Sequence, residues 1–256
     1  MARYFLTLSY NGANFNGWQI QENTVMTVQQ VLQEKMSMIL KESIELTGCG
    51  RTDTGVHAKN YIAHFNSHCL DLIENKKHWL YKFNTVLPAS ISIQEIQKVT
   101  DEAHARYSAQ SRTYYYFIHQ QKNPFIENYS LFVHGTIDYE LMNKAALSLL
   151  EYSDFTSFSK LHTQNKTNNC RITKAVWQKI GEGEWRFTIT ADRFLRGMVR
   201  AVVGTLLLVG KNKISLAEFR KIIEAKDRNA AGSNVAPHAL FLTGIKYPKE
   251  LFIEQG

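Results

Sequence analysis

Gly48-Cys49-Gly50-Arg51-Thr52-Asp53-Thr54-Gly55-Val56-His57-Ala58 is the stretch on which the reading of this chain turns. A single carboxylate, Asp53, sits between Thr52 and Thr54, just after Arg51. Gly48, Gly50 and Gly55 keep the backbone open around it, and glycine weakens both helix and strand interiors. The stretch therefore predicts a loop that presents one acid beside one guanidinium. Taken alone, such a loop is equally a tight turn closed by a local ion pair.

Working outward, Tyr4 to Tyr10 alternates and predicts a strand, turned by Asn11-Gly12. Thr27 followed by Gln30 reads as a capping box opening a helix. Its apolar face is Val28, Val31, Leu32, Met36, Ile39 and Leu40. Ile62 to Phe65 predicts a strand leaving the Asp53 loop, Leu70 to Asn84 a helix ending before Leu87-Pro88, and Ile91 to Val99 a strand. An aromatic strand, Arg112 to His119, opens a second run of the same kind. Asp138 to Glu151 predicts a helix with Leu141, Ala145 and Leu149 on one face. Thr173 to Ile180 and Glu184 to Ala191 are strands joined by Gly181-Glu182-Gly183. Phe194 to Val209 predicts a helix, Ser215 and Glu218 a second capping box on a helix to about Ala225, and Leu240 to Tyr247 a last strand. Short turns favour antiparallel pairing, so the pattern predicts an α+β chain of two similar halves. The boundary falls near Ala105 to Ser108, and the polar run Lys160 to Asn169 reads as a mobile surface loop.

The totals narrow the partners. The chain has 256 residues, 44% hydrophobic and 21% charged, as in ordinary globular proteins. A formal charge of +7 tilts the partners toward polyanions. Cys49, Cys69 and Cys170 are widely spaced and form no C-x-x-C, so neither a zinc ribbon nor a disulfide framework is expected. A reducing cytoplasm is the simplest compartment. Met1 to Tyr10 lacks the apolar core of a signal peptide, and Val199 to Val209 is too short to cross a bilayer.

Two further clusters carry chemistry. In Ala105-Arg106-Tyr107-Ser108-Ala109-Gln110-Ser111-Arg112-Thr113-Tyr114-Tyr115-Tyr116, strand geometry puts Tyr114 and Tyr116 on one face and Tyr115 on the other. The tyrosines read either as core or as a stacking platform for a base, with Arg106 and Arg112 for phosphates. In Arg193-Phe194-Leu195-Arg196-Gly197-Met198-Val199-Arg200, a continuous helix would line Arg193, Arg196 and Arg200 along one face. That face is either solvated or meets phosphates or an acid.

Arg51 to Ala58 closely resembles the catalytic loop of the TruA-type tRNA pseudouridine synthases, G-R-T-D-x-G-V-H-A. The same family carries Y-D-G-x-x-F-x-G-W-Q followed by T-V-Q, matched by Tyr10-Asn11-Gly12, Phe15, Gly17-Trp18-Gln19 and Thr27-Val28-Gln29. Its A-R-F-S-A-x-x-R-x-Y-x-Y segment places a family active-site tyrosine on Tyr114, and its F-L-x-x-M-V-R places an arginine on Arg200. The resemblance runs from about Tyr10 to Tyr247. Departures are Asn11 for Asp, Tyr107 for Phe, Asn60-Tyr61 where Gly and Gln are common, and shifted prolines over Ser233 to Ala239.

The resemblance implies two ferredoxin-like halves, 1–106 and 107–256, sharing a mainly antiparallel sheet with the active-site cleft between them. It implies a uridine isomerase acting on the tRNA anticodon stem-loop, at about positions 38 to 40. Asp53 would serve as nucleophile or base on the ribose, Tyr114 would stack on the base, and Arg200 would pair with Asp53. Arg51, Arg106, Arg112, Arg193 and Arg196 would contact RNA. No cofactor or metal is expected, and members act as homodimers. Two alternatives stay open: the same chemistry on other RNA uridines in a paralogue, or an RNA-binding homologue without catalysis. Asp53-Thr54-Gly55 also spells the aspartic-protease triplet, but that chemistry needs a second such acid and no second triplet occurs.

Overall fold

Tyr4, Leu6, Leu8 and Tyr10 alternate inward to make a strand, and all four are buried. This is β1 (Ala2–Tyr10) of a computed structural model that describes residues 1–22, 24, 26–160 and 167–253. Residues 161–166, most of the predicted polar loop, lie outside the described residues. The chain divides into two units, Ser111–Phe241 and Met1–Gln110 with the segment from Leu242 onward.

In the first unit, β1 pairs antiparallel with β3 (His57–Ser67) on one side and β4 (Ile91–Val99) on the other. The run β4-β1-β3 is joined off its main path by the short β2 (Thr47–Gly48), which pairs antiparallel with β3. Helix α1 (Val28–Leu40) starts where predicted: the Thr27 hydroxyl accepts the Gln30 N–H at 3.3 Å. Val28, Leu32 and Met36 form its buried seam. It stops at Lys41, whose left-handed φ of 55° turns the chain out.

The predicted helix from Leu70 does not form as one piece. A 3-10 turn, Leu70–Leu72, precedes α2 (Lys76–Val86). The Asp71 carboxylate explains the break, accepting Asn75 Nδ2 at 3.0 Å and Trp79 Nε1 at 3.2 Å. Such side-chain bonds compete with helical ones. The C-terminal segment returns to this unit: Thr100 donates to Leu251 O at 2.9 Å, and Ile253 to Lys98 O at 3.1 Å. The Phe5 ring packs on Tyr247 and Phe252, with centroids 4.9 and 6.0 Å away.

In the second unit, β5 (Ser111–His119) pairs antiparallel with β8 (Glu184–Ala191), which forms a hairpin with β7 (Ile172–Gly181). The two-residue β6 (Leu131–Phe132) lies parallel beside β5. Helix α3 (Tyr139–Ser148) is capped by Asp138, which accepts Leu141 N–H at 2.8 Å. Its core face is Met142, Ala145, Ala146 and Leu149, one position beyond the predicted Leu141. Helix α4 spans Met198–Gly210, and nearly every residue in it is buried. Helix α5 (Leu216–Glu224) has the full capping box of Ser215 and Glu218.

The start of α4 corrects the sequence reading. Gly197 adopts a left-handed φ of 74° as the N-cap, so Phe194 to Arg196 precede the helix as non-helical chain. Arg193 and Arg196 therefore do not share a helical face with Arg200. Among the described residues no helix is long and apolar enough to cross a membrane.

One buried histidine ties the first unit together. His64 Nδ1 accepts the Ala105 N–H at 3.0 Å, and Arg3 Nη1 reaches Ala103 O at 3.1 Å. Burial, then His104 and Arg3, lower the His64 pKa to about 4. The unfolded chain binds a proton below about pH 6.5 that the folded chain refuses. Stability contributed by neutral His64 is present above that pH and is lost as pH falls toward 4. His104, lowered mainly by burial, acts in the same direction. Urea midpoints at pH 7 and pH 5 are expected to differ less in His64→Gln than in wild type; an equal difference would exclude His64 as a source of the acid sensitivity.

Candidate functional site

The loop that carries Asp53 leaves β2 at Gly48 and enters β3 at His57, so β3 begins well before the predicted Ile62. Its backbone is pinned at each step. Cys49 N–H donates to Ile62 O at 2.8 Å, and Trp18 N–H donates to Thr52 O at 3.2 Å. The Tyr61 hydroxyl donates to Gly50 O. The Thr52 hydroxyl is buried and shares a 2.8 Å hydrogen bond with the Tyr10 hydroxyl. Val56 N–H closes a turn on Asp53 O at 3.1 Å, and Gly55 supplies the φ of 79° that the turn requires. His57 Nδ1 accepts the Gly12 N–H at 3.0 Å. Asp53 is half-buried, flanked by buried Thr52 and Val56. The result is a carboxylate displayed on a fixed backbone. Arg51 is exposed, and its Nε donates to Gln19 Oε1 at 3.2 Å.

The partners of that loop come from the N-terminal signature. Trp18 is buried and stacks on Tyr61 with centroids 4.0 Å apart, and Tyr10 packs on Tyr61 at 5.5 Å. Gln29 continues the frame: its N–H donates to Trp18 O at 3.0 Å, and its Nε2 donates to Leu46 O at 2.7 Å. Gly17 has a φ of 83°, and a Cβ there would collide with Thr52 O. Tyr61, noted in the sequence only as a departure, is thus a structural member of the loop. The signal available was its aromatic character beside a glycine-rich turn.

In the second unit, Tyr114 is half-buried on β5 and meets Phe194 edge-on at 5.2 Å. Tyr116 shares its face, is fully buried, and donates to Ala236 O at 2.9 Å. Burial pushes the Tyr116 phenol well above its ordinary range, with the nearby Arg200 charge opposing. Tyr115 takes the opposite face, with the Arg186 guanidinium 4.4 Å from its ring centroid. Arg112 Nη1 donates to Asp192 O at 2.7 Å. Asp192 Oδ1 accepts the Arg193 N–H at 2.7 Å, and Arg196 is exposed, its carbonyl accepting Lys160 N–H at 3.0 Å.

Arg200 lies in the first turn of α4, half-buried, and its Nε donates to Val235 O at 2.6 Å. The segment that receives it is itself fixed. Gly232 N–H donates to Thr205 Oγ1 at 2.9 Å, and Arg228 reaches Gly232 O at 3.1 Å and Asn234 Oδ1 at 3.0 Å. The shifted-proline segment therefore holds both Arg200 and Tyr116 by consecutive carbonyls, a role the sequence did not reveal. Among the described residues no group of three His, Cys, Asp or Glu is placed to hold a metal ion.

Gly17 and Gly50 make opposite demands. A side chain at Gly17 meets both positive φ and the Thr52 carbonyl, whereas nothing lies within 4 Å of a Cβ at Gly50. Gly17→Ala is expected to cost about 1–3 kcal/mol in a denaturation experiment, with Gly50→Ala close to wild type. Equal stability of the two variants would show that Gly17 does not constrain the loop.

A family profile described as tRNA pseudouridine synthase matches residues 145–248. The chain is 48% identical over 254 residues to tRNA pseudouridine synthase A of Porphyromonas gingivalis, covering 99% of this chain and 100% of that one. It is 50% identical over 252 residues to tRNA pseudouridine synthase A of Parabacteroides distasonis, covering 98% of each. A more distant relative, tRNA pseudouridine synthase A 1 of Protochlamydia amoebophila, is 38% identical over 96% of this chain and 97% of its own. With such identity maintained across whole chains, this protein belongs to the tRNA pseudouridine synthase family.

Proposed function

We propose that the protein isomerises uridine to pseudouridine in tRNA, with Asp53 as the group that acts on the ribose. The observation that carries this reading is the half-buried Asp53 carboxylate on a loop fixed at Gly50, Thr52, Val56 and His57. Preorganisation of that kind is what a reacting group needs. The glycosidic bond breaks, the base rotates, and a carbon–carbon bond forms from C5 to the ribose, while the C5 hydrogen leaves to solvent and the freed N1 takes up a proton. Nothing is oxidised and no group is added, so the chemistry calls for no cofactor.

A paired base is out of reach, so the uridine is flipped into the site, with Arg51 or Arg200 filling the gap. Asp53 attacks C1′ or takes the C2′ proton. Tyr114 stacks on the base and its hydroxyl serves the C5 proton transfer. Arg200, anchored on Val235 O, orients Asp53. Arg106, Arg112, Arg193 and Arg196 grip the backbone, which makes binding salt-dependent.

The proposed architecture is two ferredoxin-like halves, 1–106 and 107–256. The antiparallel order β4-β1-β3 and a β-α-β-β-α succession from β1 and again from β5, interrupted there by the two-residue β6, support it. The substrate is the anticodon stem-loop, the enzyme a cytoplasmic homodimer.

Tritium release from a tRNA transcript labelled at uridine C5 tests the reading. Wild type is expected to release tritium without added metal or nucleotide, and Asp53→Asn to release none above background. Release from the variant at the wild-type rate would remove Asp53 from the chemistry. No release by wild type from any tRNA would leave RNA binding without catalysis, and release mapped to uridines outside the anticodon stem-loop would indicate a paralogue. Raising salt from 50 to 200 mM is expected to raise KM at least tenfold; a flat KM would exclude a phosphate-gripping arginine set.

A further inference from the structure

The turn His104–Ser108 lies at the opposite end of β3 from the Asp53 loop. It is held there by His64, whose Nδ1 accepts the Ala105 N–H at 3.0 Å. A strand rise of about 3.4 Å per residue separates His64 from His57, where the Asp53 loop enters β3, by roughly 24 Å.

The turn is locked by its own bonds. Ser108 N–H donates to His104 O at 2.9 Å, and His104 N–H donates to Ser108 Oγ at 3.0 Å. His104 Nδ1 accepts the N–H groups of Arg106 at 3.1 Å and Tyr107 at 3.3 Å. The Tyr247 hydroxyl donates to Ala105 O at 2.5 Å. On this frame Tyr107 is 76% exposed. Its ring packs on His104 with centroids 4.4 Å apart, and the Arg106 guanidinium lies over the ring, 5.6 Å from its centroid.

Single exposed apolar side chains are ordinary on a protein surface. Tyr107 differs in being oriented: an aromatic backing and a cation fix the ring while most of it stays in water. A fixed π-face beside a guanidinium suits a planar, π-bearing partner that carries an adjacent anion. A nucleotide has both, and bases stack on such rings in a sequence-tolerant way. The chain's charge of +7 favours the same class of partner.

We propose that Tyr107, backed by His104 and flanked by Arg106, is a stacking platform for an unpaired nucleobase of the RNA, remote from the uridine that reacts. This rests on the tRNA-isomerase reading above. Because the turn that carries the platform is bonded to His64, well along β3 from His57 where the Asp53 loop enters, it touches a nucleotide other than the target and acts through binding. Its loss therefore appears in KM and not in kcat.

The test uses full-length tRNA and the variants Tyr107→Leu, Tyr107→Phe and Tyr107→Trp, each with an unchanged Tm. Tyr107→Leu keeps apolar bulk without a π-face and is expected to raise KM for tritium release about tenfold at unchanged kcat. Tyr107→Phe is expected to match wild type. Tyr107→Trp is expected to show indole quenching on tRNA addition that wild type does not show. Wild-type KM in Tyr107→Leu, a loss confined to kcat, or an equal loss in Tyr107→Phe would overturn the platform. A changed oligomeric mass of Tyr107→Leu by light scattering would instead assign the ring to a protein contact and overturn it too. If wild type releases no tritium, the isomerase reading fails on its own, and the quenching titration with tRNA still decides the platform.

Discussion

The stack of Trp18 on Tyr61 is the contact from which the first unit's chemistry follows. Two large rings 4.0 Å apart fill the space under Gly48, where Tyr61 Oη and Trp18 Nε1 leave no room for a Cβ. Aromatic pairs of this kind bring about 0.5–1.5 kcal/mol beyond the area they bury. Their larger contribution here is positional. Tyr61 binds the Gly50 carbonyl, Trp18 binds the Thr52 carbonyl, and Tyr10 binds the Thr52 hydroxyl. The residues that would let Asp53 wander are all tied to one aromatic cluster, which leaves the acid itself as the displayed group.

The second unit solves a similar problem with carbonyls instead of rings. Val235 O receives Arg200 and Ala236 O receives Tyr116, so one short segment fixes a cation and the neighbour of Tyr114 together. That segment sits tightly on α4 because Gly204 has no side chain to push Ser233 O away. The nearly uniform burial of α4 is the cost of this arrangement, and it explains why the helix reads as an unbroken apolar run in the sequence.

Much of this was legible in the residues. Alternation marked β1, aromatic density marked β5, and the Ser215–Glu218 pair placed the start of α5 to the residue. Asp53 stood out as the one acid in a glycine-rich run beside an arginine, although that run alone reads equally as a tight turn. What stayed hidden depended on contacts distant in sequence or on backbone dihedrals. Gly197 takes a left-handed φ that periodicity does not register, so the arginines before it looked helical. Asp71 withdraws its turn from α2 through bonds to Asn75 and Trp79, which propensity does not show. The role of Val235 and Ala236 is carried by main-chain oxygens, which every residue type possesses equally. Family resemblance supplied the reaction, which composition and spacing do not contain.

The return of the C-terminal segment to the first unit sets an order of assembly during synthesis. Residues 111–241 form a contiguous unit, whereas the first unit is interrupted by it. Phe5, near the very start of the chain, is covered by Tyr247 and Phe252, and the end of β4 is bridged by Phe252. A nascent chain emerging N-terminus first therefore carries a partly uncovered apolar strand until Phe252 has left the ribosome. The second unit closes locally while the first waits, and the closing contact joins Phe5 to Phe252 across the whole of the second unit's sequence, the kind of long-range pairing that slows folding.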